Sequence, residues 1–219
     1  MNQALFENIA YSSIGHRTSQ EETYDIAKIV LERGIPGDFV ECGVYAGASC
    51  ALMAHAILES DEYACGLAEA LRSYNPVRIV KTITDRRRVH LFDSFTGIPK
   101  PGPEDHELSA NVGGESSCSM RDVEINMERW GVPPELLRYH PGLFEHSLRD
   151  AEAELERSGI AFLRLDADLY SSTLVAMQWL YPLVSKGGYI LVDDYDLSGC
   201  RKAVHEVIHP APVLWRKWN

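Results

Sequence analysis

The chain has 219 residues, 45% hydrophobic and 24% charged, which suits one large globular domain. Its formal net charge of −11 argues against a nucleic-acid backbone as partner, because phosphate binding needs a basic surface. Apolar runs are of strand length and broken by charges, so no membrane span is expected. The opening MNQALFENIAYSS has neither the charged start nor the sustained apolar stretch of a secretory signal. Five cysteines (Cys42, Cys50, Cys65, Cys118, Cys200) show no CxxC spacing and suggest reduced thiols in a cytoplasmic protein.

In chain order, segments with helical and strand patterns alternate, the mark of an α/β fold with a mostly parallel sheet. Ser19-Gln-Glu-Glu22 reads as a capping box with Ser19 at the N-cap, opening a helix TYDIAKIVLERG. Ile26, Ile29, Val30 and Arg33 recur at helical spacing there, and Gly34 is the stop. A strand DFVECGV (38–44), a glycine-bearing turn and an apolar helix SCALMAHAILES follow. Residues 59–87 form a long, weakly patterned connection with a possible short helix, ACGLAEALRSY. The basic run Arg86-Arg-Arg88 leads into the strand RVHLFDS (88–94) and reads as a solvated loop. Residues 96–118, rich in Gly, Pro and polar side chains, read as an active-site lid, with a loop of no fixed role as the alternative. LLRYHPGLF (136–144) is a strand candidate and SLRDAEAELERSG a helix. IAFLRLDADLY (160–170), the helix STLVAMQWLYPLV, the strand KGGYILVDDYD (186–196), the helix CRKAVHEVI and a last strand VLWRKWN complete the series. The chain is expected to form a single domain over 1–219, with 1–37 as an N-terminal helical or lid segment.

In open parallel sheets, ligands bind beyond the carboxyl ends of the strands. The first strand ends in Glu41-Cys-Gly43-Val-Tyr-Ala-Gly47-Ala-Ser49. Gly43 and Gly47 let backbone approach a ligand, Ser49 sits where the next helix starts, and Glu41 would face a cationic group. The spacing is not GxGxxG, so a ligand without a pyrophosphate is favoured, although a tight turn with no ligand would look the same. Asp93-Ser94 ends the next strand, where an acid commonly holds ribose hydroxyls. Together these residues favour S-adenosylmethionine.

Two strands end in acids, FLRLDADLYS (162–171) and YILVDDYD (189–196). Unpaired buried carboxylates are costly, so something must neutralise them. Strand alternation puts Asp166 and Asp168 on one side. Asp193 and Asp194 face opposite sides unless the chain is already turning. A hard divalent cation held by oxygen ligands answers the charge problem, and Mg²⁺ suits one or two carboxylates with water and substrate. The alternative is that Asp168 and Asp196 simply cap the helices that follow. With a metal present, Asp168 is the candidate general base, and Asp166, Asp193 and Asp194 are the candidate ligands.

PGDFVECGVYAGAS, LFDSFTGIP, SMRDVEINMERWGVP, PGLFEHSL and LRLDADLYSSTLVAMQWLYPLVSKGGYILVDDYDLSGCRKAV, in this order, resemble the macrocin O-methyltransferase family over roughly residues 18 to 207. The resemblance implies a Rossmann-like class I methyltransferase fold with a seven-stranded, mostly parallel sheet and helices on both faces. It implies S-adenosylmethionine and Mg²⁺ as cofactors and a sugar on a natural product as acceptor. Asp166, Asp193 and Asp194 match the family's metal-binding acids, with Asp166 also beside the cofactor, and Asp168 its proposed base. Glu41, Gly43, Gly47, Asp93 and Ser94 match its cofactor contacts, and Ser119 falls near the adenine. Relatives also suggest a homo-oligomer. Ala167 departs from the glycine usual in the family, and 59–87 is longer than usual.

The expectation is therefore a Mg²⁺-assisted O-methyltransferase acting on a diol-like hydroxyl of a small molecule, such as a deoxysugar. A catechol acceptor, a metal-dependent hydrolase built on the same acids, and a cofactor-binding scaffold without turnover remain as alternatives.

Overall fold

A computed structural model describes residues 1, 3–12, 17–60, 87–106, 108 and 113–208. Helices α1 (Gln3–Ala10) and α2 (Arg17–Glu32) precede strand β1 (Asp38–Cys42) and helix α3 (Ala48–Glu59). Strand β2 (Val89–Asp93), helix α4 (Met120–Arg129), strand β3 (Leu137–Pro141) and helix α5 (Phe144–Ser158) follow. Strand β4 (Ile160–Leu165), helix α6 (Tyr170–Leu180), strand β5 (Val184–Val192) and helix α7 (Ser198–Val207) complete the described elements.

The strands pair in the order β3-β2-β1-β4-β5, all parallel. Among the described residues the sheet thus has five strands rather than the expected seven. The proposed last strand, 213–219, and the possible helix within 61–86 lie outside the described residues. Sheets of this kind are covered on both faces, which is why β1 and β4 are buried at every position and read as continuous rather than alternating runs. One apolar layer joins α1, α2, α3 and α4 to one face through Phe39, Leu52, Met53, Val123 and Phe162. A second joins α5, α6 and α7 to the other through Val40, Leu148, Leu163 and Met177. Chain order reverses direction between β1 and β4, and this switch point opens a crevice at the carboxyl ends of those strands.

Three local expectations change. Helix α2 begins at Arg17, so Ser19 lies inside its first turn rather than at its cap. The Ser19 carbonyl accepts from Thr23 Oγ1 at 2.8 Å, and its hydroxyl donates to Asp193. Helix α4 has no counterpart in the elements read from sequence. It is short and largely charged, burying only Val123 and Met127, and Ser119 caps it by accepting from the Asp122 N–H at 3.2 Å. The helix read across STLVAMQWLYPLV stops at Leu180. A 3₁₀ turn, Tyr181–Leu183, carries Pro182, and Val184 already belongs to β5. Gly34 does end α2, at φ +59°, with the Ile35 N–H closing back onto Val30 O at 3.1 Å. Cys42, Cys50, Cys118 and Cys200 are free thiols. No helix among the described residues is long and apolar enough to cross a membrane.

Candidate active site

The acids ending β4 and β5 converge, and the first cation they meet belongs to the chain itself. Arg164 lies on β4 with 1% of its surface exposed. Its Nη1 donates to Glu41 Oε1 at 2.6 Å and to Asp166 Oδ2 at 2.7 Å. Its Nη2 lies 3.0 Å from Asp193 Oδ1 and 3.2 Å from Ser19 Oγ, and Nε reaches Thr23 Oγ1 at 3.2 Å. One planar guanidinium thus ties together β1, the ends of β4 and β5, and helix α2, a task suited to its fixed fork of donors. The sequence reading passed over this residue, although an arginine inside an otherwise apolar, fully covered strand must have partners.

Glu41 is wholly buried and also accepts from the Ser49 hydroxyl and from Cys50 Sγ at 2.6 Å. Burial pushes its carboxyl above the usual range, with Arg164 pulling the other way. The expected cation facing Glu41 is therefore present, but it is internal.

Arg164 pairs with Glu41, Asp166 and Asp193, and two further acids stand beside them. Asp194 Oδ2 accepts the Asp168 N–H at 3.0 Å. Burial, then the charges of Asp166 and Asp168, hold Asp194 well above the ordinary carboxyl range. Burial, then Asp166, Asp193 and Asp93, push Asp168 up to about 7. An oxygen from each of Asp166, Asp193 and Asp194 lies within 4.8 Å of the others. Arg164 engages Oδ2 of Asp166 and Oδ1 of Asp193, leaving the second oxygen of each for another partner. An oxygen-only set with excess negative charge fits a hard cation such as Mg²⁺.

Asp166 and Asp168 share this site for a reason other than strand alternation. Strand β4 ends at Leu165, and Asp168 sits in a tight turn at φ +56°, with the Leu169 N–H bonded to Ala167 O at 2.5 Å. Asp193 and Asp194 both reach the site because β5 ends at Val192 and the chain is already turning. Asp168 does not cap α6, since Asp105 accepts the Tyr170 N–H at 2.6 Å instead.

A cavity of about 390 Å³ opens at the switch point. Of the residues expected there, Gly43, Ser49, Asp93, Ser94, Asp166, Asp168, Asp193 and Asp194 line it. Gly43, at φ +89°, has no room for a side chain, since a Cβ would fall 1.7 Å from the Asp166 carbonyl oxygen. Asp93 Oδ2 accepts from the N–H groups of Val44 at 2.7 Å and Tyr45 at 3.1 Å, and Oδ1 from Phe95 N–H at 2.8 Å. This stiffens the glycine turn and leaves a lone pair of Oδ1 free for a hydroxyl. Ser94 Oγ donates to Gly97 O at 3.0 Å.

Glu41, Gly47 and Ser119 do not line the cavity. Glu41 partners Arg164. Gly47 makes room for α4, because a Cβ there would meet Met127 Cε at 2.7 Å. Ser119 caps α4. Conversely, Gln20, Tyr45, Ile98, Pro99, Leu143 and Phe144 line the cavity without having been singled out from sequence. Among the described residues, four non-glycine residues have positive φ, namely Tyr45, Phe95, Ser116 and Asp168. Three of them line the cavity, so backbone strain gathers where the chemistry would be.

A profile of the macrocin-O-methyltransferase (TylF) family matches residues 5–66 and 76–211. The chain is 31% identical over 204 residues to 8-demethyl-8-(2,3-dimethoxy-alpha-L-rhamnosyl)-tetracenomycin-C 4'-O-methyltransferase of Streptomyces olivaceus, covering 91% of this chain and 68% of that protein. It is 30% identical over 208 residues to mycinamicin III 3''-O-methyltransferase of Micromonospora griseorubida, covering 92% of this chain and 71% of that one. Among solved structures, the O-methyltransferase NovP superposes with a TM-score of 0.69 at 27% identity, covering 93% of this chain and 87% of NovP. A methyltransferase family implies S-adenosylmethionine as methyl donor, and this removes the hydrolase alternative. With its family match spanning most of its length and the acid-lined crevice at its switch point, the chain belongs to the macrocin-O-methyltransferase family.

Proposed function

We propose that the protein is a Mg²⁺-assisted O-methyltransferase that methylates one hydroxyl of a vicinal diol on a sugar of a small natural product. The observation that carries this is the meeting of Asp166, Asp193 and Asp194, with Asp168 beside them, in a cavity that the Gly43 turn also lines. The sugar acceptor is supported by the two curated relatives, both named as O-methyltransferases and one of them for a rhamnosyl compound.

Asp166, Asp193 and Asp194 would hold Mg²⁺, which supplies the charge that orients an acceptor hydroxyl and eases its deprotonation. S-adenosylmethionine supplies a methyl group on a sulfonium, open to in-line attack. The chain's own residues do the rest. Arg164 keeps Asp166 and Asp193 in place by occupying one oxygen of each. Asp93 fixes the Val44–Tyr45 turn and offers its remaining lone pair to a ribose hydroxyl. Asp168, lining the same cavity, accepts the proton that leaves the acceptor hydroxyl as the oxygen takes up the methyl group. Ile98, Pro99 and Ser116 put both ends of the 96–118 segment against the cavity, which supports its reading as a lid that excludes water.

The test is methyl transfer from S-adenosylmethionine to methyl α-L-rhamnoside and, separately, to catechol, each with Mg²⁺ or with a chelator. Mg²⁺-dependent methylation of the rhamnoside supports the proposal. Preference for catechol would replace the sugar by an aromatic diol, and S-adenosylhomocysteine binding without methylation of either would favour a scaffold.

A further inference from the structure

Helix α6 follows directly on the turn that carries Asp168, and the residue at its N-cap position, Leu169, has no side chain able to cap it. The cap comes from Asp105, some sixty residues earlier and within the 96–118 segment. Asp105 is 4% exposed. Its Oδ1 accepts the Tyr170 N–H at 2.6 Å, and its Oδ2 accepts the Gly102 N–H at 2.9 Å. The Leu108 N–H returns to Asp105 O at 3.0 Å. Helix α7 comes just as close. A Cβ at Gly199 would fall 2.7 Å from Asp105 Oδ1 and 3.1 Å from Glu104 O. Lys202 Nζ, one turn along α7, lies 3.8 Å from Glu104 Oε1. A carboxylate placed between two helix N-termini is favoured by both dipoles.

We infer that Asp105 is a positioning residue for Asp168, so that the 96–118 segment takes part in catalysis through a fixed anchor. The inference rests on the reading of Asp168 as the base. Asp168 occupies a strained turn, and such a turn keeps its shape only when its surroundings hold it. Two contacts do so. On the near side Asp194 Oδ2 takes the Asp168 N–H, and on the far side Asp105 takes the N–H of Tyr170, two residues on. Asp194 belongs to the acid cluster, but Asp105 does not line the cavity, and its carboxylate bonds to the Tyr170 and Gly102 N–H groups rather than to Asp168 or the candidate metal ligands. Its effect on the reaction therefore runs through the turn alone.

Two variants of the full chain separate this role from general stability. Asp105→Ala removes the anchor. Gly199→Ala keeps the carboxylate but forces it to shift, because the added Cβ would fall 2.7 Å from Asp105 Oδ1, while placing a better helix former in α7. Hydrogen exchange followed by mass spectrometry, in the presence of Mg²⁺ and S-adenosylhomocysteine, reads the turn directly. Both variants should exchange about tenfold faster in the peptide over residues 166–172, with β1 and β4 unchanged. With methyl α-L-rhamnoside as acceptor, kcat should fall about 10- to 100-fold while the Kd for S-adenosylhomocysteine stays put. Parent-like exchange in both variants overturns the inference, and so does a loosened turn with kcat intact. If the unmodified chain methylates neither rhamnoside nor catechol, the functional reading fails separately, and the exchange comparison alone decides whether Asp105 holds the turn.

Discussion

Two polar clusters are buried in the two halves of the same sheet, and they solve the problem of buried charge in opposite ways. In the half formed by β1, β2 and β3, Asp38 Oδ2 lies 3.2 Å from His90 Nε2, and His90 Nδ1 lies 2.9 Å from His140 Nε2. The two imidazoles are within 6° of parallel, and the Arg88 N–H completes Asp38 at 2.7 Å. One carboxylate is served by an imidazole ring and a backbone N–H. The half formed by β1, β4 and β5 sets five carboxylates (Glu41, Asp166, Asp168, Asp193, Asp194) around the single guanidinium of Arg164. In the first cluster the one carboxylate, Asp38, finds its partners within the chain. The second lacks positive charge, and like charges this close need a further cation to stay ionised. That difference distinguishes a structural polar network from a site built to receive a ligand.

Removing one of the unbalanced charges should break the comparison most visibly. Asp168→Asn should cut turnover by about 10²- to 10⁴-fold. The same variant should make the metal-free fold more stable, by about 0.5–2 kcal/mol, because it relieves like-charge repulsion. Turnover assays and urea unfolding on one preparation would check both, and a loss of both activity and stability would make Asp168 a structural residue. Arg164→Met should act in the opposite sense. It strands Glu41, Asp166 and Asp193 without their guanidinium, a loss on the order of 3–5 kcal/mol that chemical denaturation would read. Ser19→Ala removes only the hydroxyl between Asp193 and Arg164, and about 1.5 kcal/mol is expected.

The last effect belongs to the histidine cluster, depends on pH, and sharpens the contrast. Burial first, and then His90 and Arg138, hold His140 down at about 4 from its ordinary 6.5. The fold therefore keeps His140 neutral while the unfolded chain takes up a proton, so stability present above pH 6.5 is lost as the pH falls towards 4. Asp38 works in the same direction at lower pH. Burial opposes its ionisation, but His90 and the Arg88 N–H hold it below 3.8, and its contribution disappears as the pH falls through that lower value. His140→Gln should reduce the fall in urea midpoint between about pH 6.5 and about pH 4.5. An equal fall in variant and parent would remove His140 from the linkage.

The order of elements was legible because β1, β2, β4 and β5 are short, mostly apolar runs separated by segments of helical pattern. The acids were legible for a related reason. Asp166, Asp193 and Asp194 stand just after continuous apolar runs, where a carboxylate has no structural purpose of its own. What stayed hidden depended on contacts distant in sequence. Ser19 looks like a cap because its neighbours fit a capping box, yet its hydroxyl is directed to Asp193, 174 residues away. Glu41 looks like a ligand contact, yet its cation is Arg164, 123 residues away. Strand parity puts Asp168 and Asp166 on one side, but it is the turn at Ala167–Leu169 that brings both to the cavity. Helix α4 was missed because five of its ten residues are charged and only Val123 and Met127 are buried.

The central claim is that the acids ending β4 and β5 need a divalent cation that Arg164 cannot replace. The most direct test is a titration with Mn²⁺ as a spectroscopic stand-in for Mg²⁺, followed by electron paramagnetic resonance in the presence of S-adenosylhomocysteine. The unmodified chain should bind one ion, with the affinity of Asp193→Ala or Asp194→Ala lower by tenfold or more. Equal Mn²⁺ binding by parent and both variants, or none by the parent, would contradict the account.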